Sequence, residues 1–279
     1  MLSYLHAFHA GNFADVQKHA ALTLILQMLH AKNSAIACFD THAGSAIYDL
    51  ASERARKTAE ADGGIQRIWA KRNQLSSADW SAMLGYLERK NTGRQLLARY
   101  PGSPAWLAEL ARPQDSVTAY ELHPSEGNLL AQWGRRQGVT VRCEDGLKGL
   151  LKALPPKAPR LLALIDPSYE VKSEYQQVAQ TLVNAWRKCR HGTFLIWYPI
   201  LPAAQHEALF DGLRASPVRK VLRHELRLQQ APERGMQGSG VLVVNPPWGF
   251  AERFEHMLAE VVAPDCLDAR TSGDWLIPE

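Results

Sequence analysis

The chain has 279 residues, 46 % of them hydrophobic and 22 % charged, with a net charge of +4. That is enough to bury one large core or two modest ones in an ordinary globular protein, and the charge is too small by itself to imply a nucleic-acid partner. No apolar run reaches the ~18 residues a membrane span needs, residues 1–10 lack the pattern of a secretory signal, and Cys38, Cys143, Cys189 and Cys266 are too dispersed for a zinc site or a disulfide framework. A cytoplasmic protein with free thiols is expected, bound neither to a membrane nor to a metal.

Residues 12–32 open with Asn12 as a cap and Asp15 three positions on. Val16, Ala20, Leu24, Ile25, Met28 and Leu29 then recur at helical spacing, which predicts an amphipathic helix. Residues 35–40 form a short strand that ends in Thr41-His42-Ala43-Gly44-Ser45. From 51 to 98 there are no good strand runs, and helices are expected at 60–71 and 78–90, either side of Asn73-Gln74-Leu75-Ser76-Ser77. A helix over 106–110 follows the Pro101-Gly102-Ser103-Pro104 turn. Strands are then expected at 116–121, 139–143, 161–165, 193–198, 220–228 and 241–244, mostly separated by helices, notably 174–190, 203–215 and 249–262. Strand alternating with helix means βαβ units and a mainly parallel sheet. The glycine-rich segment from Gly235 to Gly240 joins the last two strands, an arrangement open to antiparallel pairing.

One spacing stands out. In a nucleotide-binding βαβ unit, the acid that holds the ribose lies ~20 residues past the glycine turn. Here Gly44 and Glu121 are 77 residues apart, so ~50 residues look inserted. The insertion, 46–100, carries ten Lys/Arg against six Asp/Glu, an excess equal to the net charge of the chain. It reads as a basic helical lobe for substrate, set into a core made of 1–45 and 101–279. A second basic group is Arg214, Arg219, Lys220, Arg223 and Arg227, and any one of these residues reads equally as solvated surface.

Ligands of open α/β sheets bind beyond the carboxyl ends of the strands. Four successive strand ends carry polar groups: Asp40 or His42, then Glu121, then Asp145-Gly146, then Asp166. A carboxylate at Glu121 can accept from both hydroxyls of a ribose, Asp145 suits the amine of a cofactor adenine, and Gly44 lets the backbone approach a ligand. No G-x-G-x-x-G follows the first strand and no G-x-x-x-x-G-K-[ST] occurs, which disfavours dinucleotide and P-loop chemistry. A nucleoside cofactor without pyrophosphate fits better, and S-adenosylmethionine is the common one.

The run 161–165 ends in Asp166-Pro167-Ser168-Tyr169. The carboxylate and the Pro167 carbonyl can accept both N–H bonds of an adenine amine, and Tyr169 can stack on the base. Asn245-Pro246-Pro247-Trp248 has a similar form, but it follows the last expected strand, near a sheet edge, and reads as a structural turn or a substrate-side wall. His6 and His9 stand at i, i+3, yet no Cys or acid completes a metal set. Tyr4, His6, Lys18 and His19 read instead as lining the site.

These motifs carry a resemblance that spans the whole chain. Met1-Leu2-Ser3-Tyr4-x-His6-x-Phe8-His9-Ala10-Gly11-Asn12, Asp15-Val16-x-Lys18-His19, Asp40-Thr41-His42-Ala43-Gly44, Tyr100-Pro101-Gly102-Ser103-Pro104, Glu121-Leu122-His123-Pro124, Trp197-Tyr198-Pro199, Asn245-Pro246-Pro247-Trp248 and Trp275-x-Ile277-Pro278-Glu279 resemble the bacterial 23S ribosomal RNA adenine-N6 methyltransferases that modify adenine 2030. The resemblance implies a Rossmann-like α/β methyltransferase with a small helical insertion, S-adenosyl-L-methionine as cofactor, and 23S ribosomal RNA, free or in an assembly intermediate, as partner of a monomer. It implies cofactor contacts at His19, His42, Ser103, Glu121, Asp145, Gly146 and Asp166, a catalytic role for Asp166, and an RNA-side or catalytic role for Tyr4, His6 and Lys18. The chain departs from the usual Asp-Pro-Pro-Tyr string at Ser168. The acceptors and the aromatic survive, so activity is expected with a less rigid turn.

The expected reaction is direct methyl transfer to an adenine flipped from its helix, with positioning by Asp166, Pro167 and Tyr169 supplying most of the rate and no raised carboxyl pKa required. Two alternatives stand beside it: a DNA adenine-N6 methyltransferase, since Asp-Pro-x-Tyr serves those enzymes too, and a nucleic-acid-binding relative without catalysis, suggested by Ser168.

Overall fold

Asn12 caps the first helix through its side chain, which accepts from the Asp15 amide (2.8 Å), and α1 (Phe13–Leu29) follows. The computed structural model describes residues 4–279, so the Met1-Leu2-Ser3 part of the N-terminal motif lies outside the described residues. In chain order α1 is followed by β1 (Ile36–Asp40), β2 (Ile47–Asp49), α2 (Glu53–Thr58), α3 (Ile65–Ala70), α4 (Ala78–Lys90), β3 (Arg99–Pro101), α5 (Ser103–Leu110), β4 (Ser116–Tyr120), α6 (Pro124–Gln137), β5 (Thr140–Arg142) and α7 (Gly146–Ala153). Then come β6 (Arg160–Ile165), α8 (Glu174–Lys188), β7 (Thr193–Ile200), α9 (Glu207–Arg214), β8 (Val221–Leu228), β9 (Gly238–Val244), α10 (Phe250–Ala259) and β10 (Ala269–Ile277). One 3₁₀ turn precedes α1 (His6–Phe8) and another lies between α2 and α3 (Glu60–Gly63).

Eight strands form one sheet in the order β10-β8-β9-β7-β6-β1-β4-β5. The pairs β4–β5, β1–β4, β1–β6 and β6–β7 are parallel, whereas β7–β9, β8–β9 and β8–β10 are antiparallel. The chain leaves β1 toward β4 and β5, then returns to β6 on its other side. This reversal opens a crevice beyond the carboxyl ends of the central strands, where such sheets bind ligands. The chain is therefore a mixed α/β fold around a mainly parallel sheet, and β8 and β9 pair antiparallel.

Three expectations need correction. Helix α1 is not amphipathic: residues 14–26 are buried without a break, because α1 packs on β7 and β9 while α4, α5 and α10 cover its remaining sides. Strand β9 is not at an edge, since β8 and then β10 lie outside it. Because β9 runs antiparallel to β7, with Phe194 opposite Val244 and Ile200 opposite Gly238, Asn245-Pro246-Pro247-Trp248 emerges at the amino ends of the parallel strands. It is thus a turn on the far side of the sheet and does not wall the cavity at the carboxyl edge. Asn245 is bonded on three sides there: its amide N–H donates to the Lys220 carbonyl (3.0 Å), its Nδ2 donates to the Arg190 and Gly192 carbonyls (2.8 Å each), and its own carbonyl accepts from the Thr193 hydroxyl (3.1 Å).

Strands β2 and β3 pair antiparallel, from Ile47–Pro101 to Asp49–Arg99, and so tie off the segment between them. Its helices share the core of the main body: Ile65, Ile68, Trp69, Trp80, Met83 and Leu87 belong to one apolar cluster with residues of α1 and α10. The Trp80 indole donates to the Met257 carbonyl (2.6 Å). Part of the segment's positive charge is spent on docking and local order. Arg67 donates to the Cys266 carbonyl (2.7 Å), Lys71 pairs with Asp265, Arg89 with Glu109 (2.7 Å) and Arg56 with Asp62 (2.8 Å).

Candidate active site

A cavity of about 560 Å³ opens at the carboxyl ends of the central strands. It brings together Tyr4, His6, Lys18 and His19 from the N-terminal segment and α1, His42 and Gly44 after β1, Ser103 at the start of α5, Glu121 after β4, Asp145 and Gly146 at the start of α7, and Asp166, Pro167, Ser168 and Tyr169 after β6, while of the pair Asp40 and His42 only His42 lines it. His9, Asp15, Tyr48, Glu60 and Trp197 line it as well. Of these, Asp15 could have been read from its i, i+3 spacing to Lys18, which puts both on one face of a helix. Tyr48 and Glu60 come from the inserted segment and leave no local signal.

Gly44 lies in the left-handed region (φ +59), and a Cβ there would meet the Tyr48 hydroxyl oxygen at 2.0 Å. Its amide donates to Glu121 Oε2 (2.8 Å), while Oε1 accepts from the His123 amide (2.7 Å). Glu121 is thus fixed by two backbone donors, and each oxygen keeps capacity for a further bond. Asp145 caps α7, its Oδ1 accepting from the Lys148 amide (3.1 Å). The capping role that strand-end acids often play therefore falls to Asp145 and not to Glu121. Gly146 lets α7 start against β1: a Cβ there would lie 1.8 Å from the Thr41 carbonyl oxygen.

The second half of the site is a charged chain. Lys18 Nζ bridges Asp15 Oδ1 (2.9 Å) and Asp166 Oδ2 (2.6 Å). Asp15 Oδ2 in turn meets His6 Nε2 (2.8 Å) and accepts from the Gly11 amide (2.9 Å), and His6 Nδ1 meets the Tyr4 hydroxyl (2.9 Å). Burial pulls the Lys18 ammonium toward neutrality, but the two carboxylates hold it well above its usual value. Burial likewise pushes the Asp166 carboxyl up, with Lys18 opposing. His6 and His9 do not converge on a common point, because His9 Nδ1 meets Glu60 Oε1 (2.8 Å) in the inserted segment while its ring stacks on Tyr4 (5.4 Å).

Tyr169 sits in the left-handed region (φ 55) and is buried. Its hydroxyl donates to the Trp197 carbonyl (2.8 Å), and Tyr175 stacks on one face (4.3 Å between centroids). The ring is therefore clamped, with the Trp197 ring tilted against it as well (6.0 Å between centroids). His19, whose Nδ1 meets the Tyr100 hydroxyl (2.8 Å), is driven down to about 3 by burial. Burial drives His42 down to about 4. Both rings are neutral at pH 7. Asp40, wholly enclosed at the end of β1, is pushed up to about 7 by burial, with Ser103 opposing, and its Oδ2 has no partner among the described residues.

A reversed, mainly parallel sheet whose carboxyl edge presents a backbone-anchored acid and neutral imidazoles is the fold of the Rossmann-like S-adenosylmethionine-dependent methyltransferases. The family model described as "Ribosomal RNA large subunit methyltransferase D, RlmJ" matches residues 33–277. The chain is 38 % identical over 284 residues to the ribosomal RNA large subunit methyltransferase J of Haemophilus influenzae and 38 % identical over 285 residues to that of Escherichia coli, with 100 % of each chain covered. A crystal structure of a Legionella pneumophila protein superposes with a TM-score of 0.88 at 32 % identity, covering 96 % of this chain and 98 % of that one. The chain belongs to this family of large-subunit ribosomal RNA methyltransferases. Its cofactor is S-adenosyl-L-methionine, and the residues present fit that molecule. Its sulfonium is cationic, and the cavity offers carboxylates and uncharged histidines near Lys18, whose charge two acids already neutralise.

Proposed function

We propose that the protein methylates N6 of a single adenine in 23S ribosomal RNA, adenine 2030, acting in the cytoplasm. The observation that carries this reading is the placement of Asp166 and the Pro167 carbonyl, two acceptors at one strand end, in the cavity that also holds Glu121 and Asp145. Lys18 engages Asp166 through Oδ2, which leaves Oδ1 to accept one N–H of the amine while Pro167 accepts the other. Two acceptors on one amino group draw its lone pair out of conjugation with the ring. When bound, the cofactor would supply a methyl group from its positive sulfur to the amine nitrogen and leave as the neutral thioether. Asp166, holding one N–H through Oδ1, would receive the proton that the nitrogen gives up.

Burial raises the Asp166 carboxyl and Lys18 opposes that rise, which favours the ionised, accepting form. A protonated Asp166 would donate rather than accept and would lose its grip on the amine. The face of Tyr169 turned away from Tyr175 supports the base. Glu121 holds the ribose of the cofactor, with His19, His42, Gly44, Ser103, Asp145 and Gly146 around it, and Tyr4 and His6 close the RNA side. The unpaired basic residues of 46–100, such as Arg94 and Arg99, contact RNA phosphates, which gives affinity that falls with salt and carries little sequence information.

Methyl transfer from radiolabelled S-adenosylmethionine to 23S RNA fragments, with DNA duplexes in parallel, tests the substrate class. Label in RNA alone is the expected result, and label in DNA alone would overturn the proposal.

A further inference from the structure

The two edges of the sheet have opposite electrical character. The carboxyl edge holds Asp40, Glu121, Asp145 and Asp166. At β1, β6, β7, β8 and β9 the amino edge is built from the segments 30–35, 154–160, 186–193, 215–221 and 245–249, which contain no Asp or Glu; beside them Asp115, at the start of β4, is paired with Arg112 and bonded to the Ile36 amide. The five segments contain Lys32, Lys157, Lys188, Arg190, Arg219 and Lys220, all exposed. Glu279 reaches this edge only to pair with Lys220.

The registers align these cations. Ile36 pairs with Arg160, Leu162 with Thr193, Phe194 with Val244 and Val244 with Val221, so the starts of β1, β6, β7 and β8 and the end of β9 share one edge. Five adjacent strands at ~4.8 Å spacing make a row about 19 Å long. In its midst stands Trp248, 98 % exposed, the most exposed large apolar side chain of the described residues. It is not on a loose loop. Asn245, held by the carbonyls of Lys220, Arg190 and Gly192, and the two prolines after it form a stiff stalk.

We propose that this amino edge, on the face opposite the active site, is a second RNA-contact surface, on which Trp248 stacks an unpaired base and the row of Lys and Arg neutralises the neighbouring phosphates. A lone aromatic among cations suits single-stranded nucleic acid, because every base offers a flat face whatever its identity. A protein partner would call for a wider apolar patch around the indole, and here the surroundings are charged. The inference rests on the RNA substrate of the family and not on which base is methylated.

The test uses the full chain and a fluorescein-labelled, eight-nucleotide single-stranded RNA followed by anisotropy. Trp248→Ala is expected to weaken binding about tenfold, the scale of one lost stacking contact, with unchanged thermal melting. Lys157→Gln/Arg190→Gln is expected to weaken binding and to lower the slope of log affinity against log salt by about 1.4, or 0.7 for each lost phosphate contact. The assay reads binding without methyl transfer, and Trp248→Ala should keep wild-type affinity for S-adenosylmethionine by calorimetry, which separates the outcome from any failure of the adenine assignment. Unchanged affinity in both the Trp248 and the Lys157/Arg190 variants overturns the proposal, as does a loss caused only by changes at the cavity.

Discussion

Lys18→Met is the sharpest probe of the site. The substitution keeps most of the side-chain volume and removes the only cation between Asp15 and Asp166. Asp15 retains His6 and the Gly11 amide, so most of the penalty falls on Asp166. Leaving one member of a buried ion pair without its partner costs about 3–5 kcal/mol. The cost depends on pH. In the unfolded chain Asp166 loses its proton near 3.9, whereas burial already raises the folded carboxyl, and without Lys18 to oppose burial it rises further. Between the unfolded and the folded value the folded state binds the extra proton, so stability falls as pH rises, by at most about 1.4 kcal/mol per unit. The gap between variant and wild type should therefore widen as pH rises above the unfolded value. Urea unfolding at pH ~5 and pH ~8 measures it, and methyl transfer should fall because the protonated form of Asp166 is favoured. A gap independent of pH, together with wild-type transfer, would refute this role for Lys18.

Three further outcomes follow from the same geometry. Glu121→Gln removes the charge and turns one of the two oxygens that accept from the Gly44 and His123 amides into a donor, and the loss of charge-assisted bonds to the cofactor ribose, about 1.5–3 kcal/mol, should weaken cofactor binding at least roughly ten- to hundredfold by calorimetry. Asp40 holds its proton to about 7 against ~3.9 unfolded, so wild-type stability falls as pH rises through that window. Asp40→Asn removes the slope, and its melting temperature should exceed that of wild type at pH ~8 and converge with it near pH ~4. Tyr169→Phe loses one hydrogen bond to Trp197, about 1 kcal/mol of stability, and should retain most transfer, whereas Tyr169→Ala should lose it.

What could be read from the sequence depended on how locally each feature is encoded. The buried strands β1, β6 and β7 announce themselves as apolar runs, and Asp166 follows from where β6 stops, as Glu121 and Asp145 follow from the ends of β4 and β5. Strand β10 escaped because its middle reads Thr271-Ser272-Gly273-Asp274. It is an edge strand with little apolar surface to bury, held by its ladder to β8. Strands β2 and β3, three residues each, are too short to leave a period. Helix α1 misled because an apolar stripe says which side is buried and not that the polar side is exposed. Its polar face carries Asp15, Lys18 and His19 inward, and their partner Asp166 lies 148 residues from Lys18. The motif at Asn245 resembled the catalytic one closely, and only the antiparallel course of β9, a property of the assembled sheet, puts it at the opposite edge.

The most direct test of the adenine assignment is mass mapping of the RNA product. Purified protein, S-adenosylmethionine and unmethylated 23S RNA are combined, and nuclease fragments are sequenced by mass. One N6-methyladenosine at position 2030, absent with Asp166→Ala, is the expected result. A methyl group on another base, on a ribose or at another adenine, or one retained by Asp166→Ala, would contradict it.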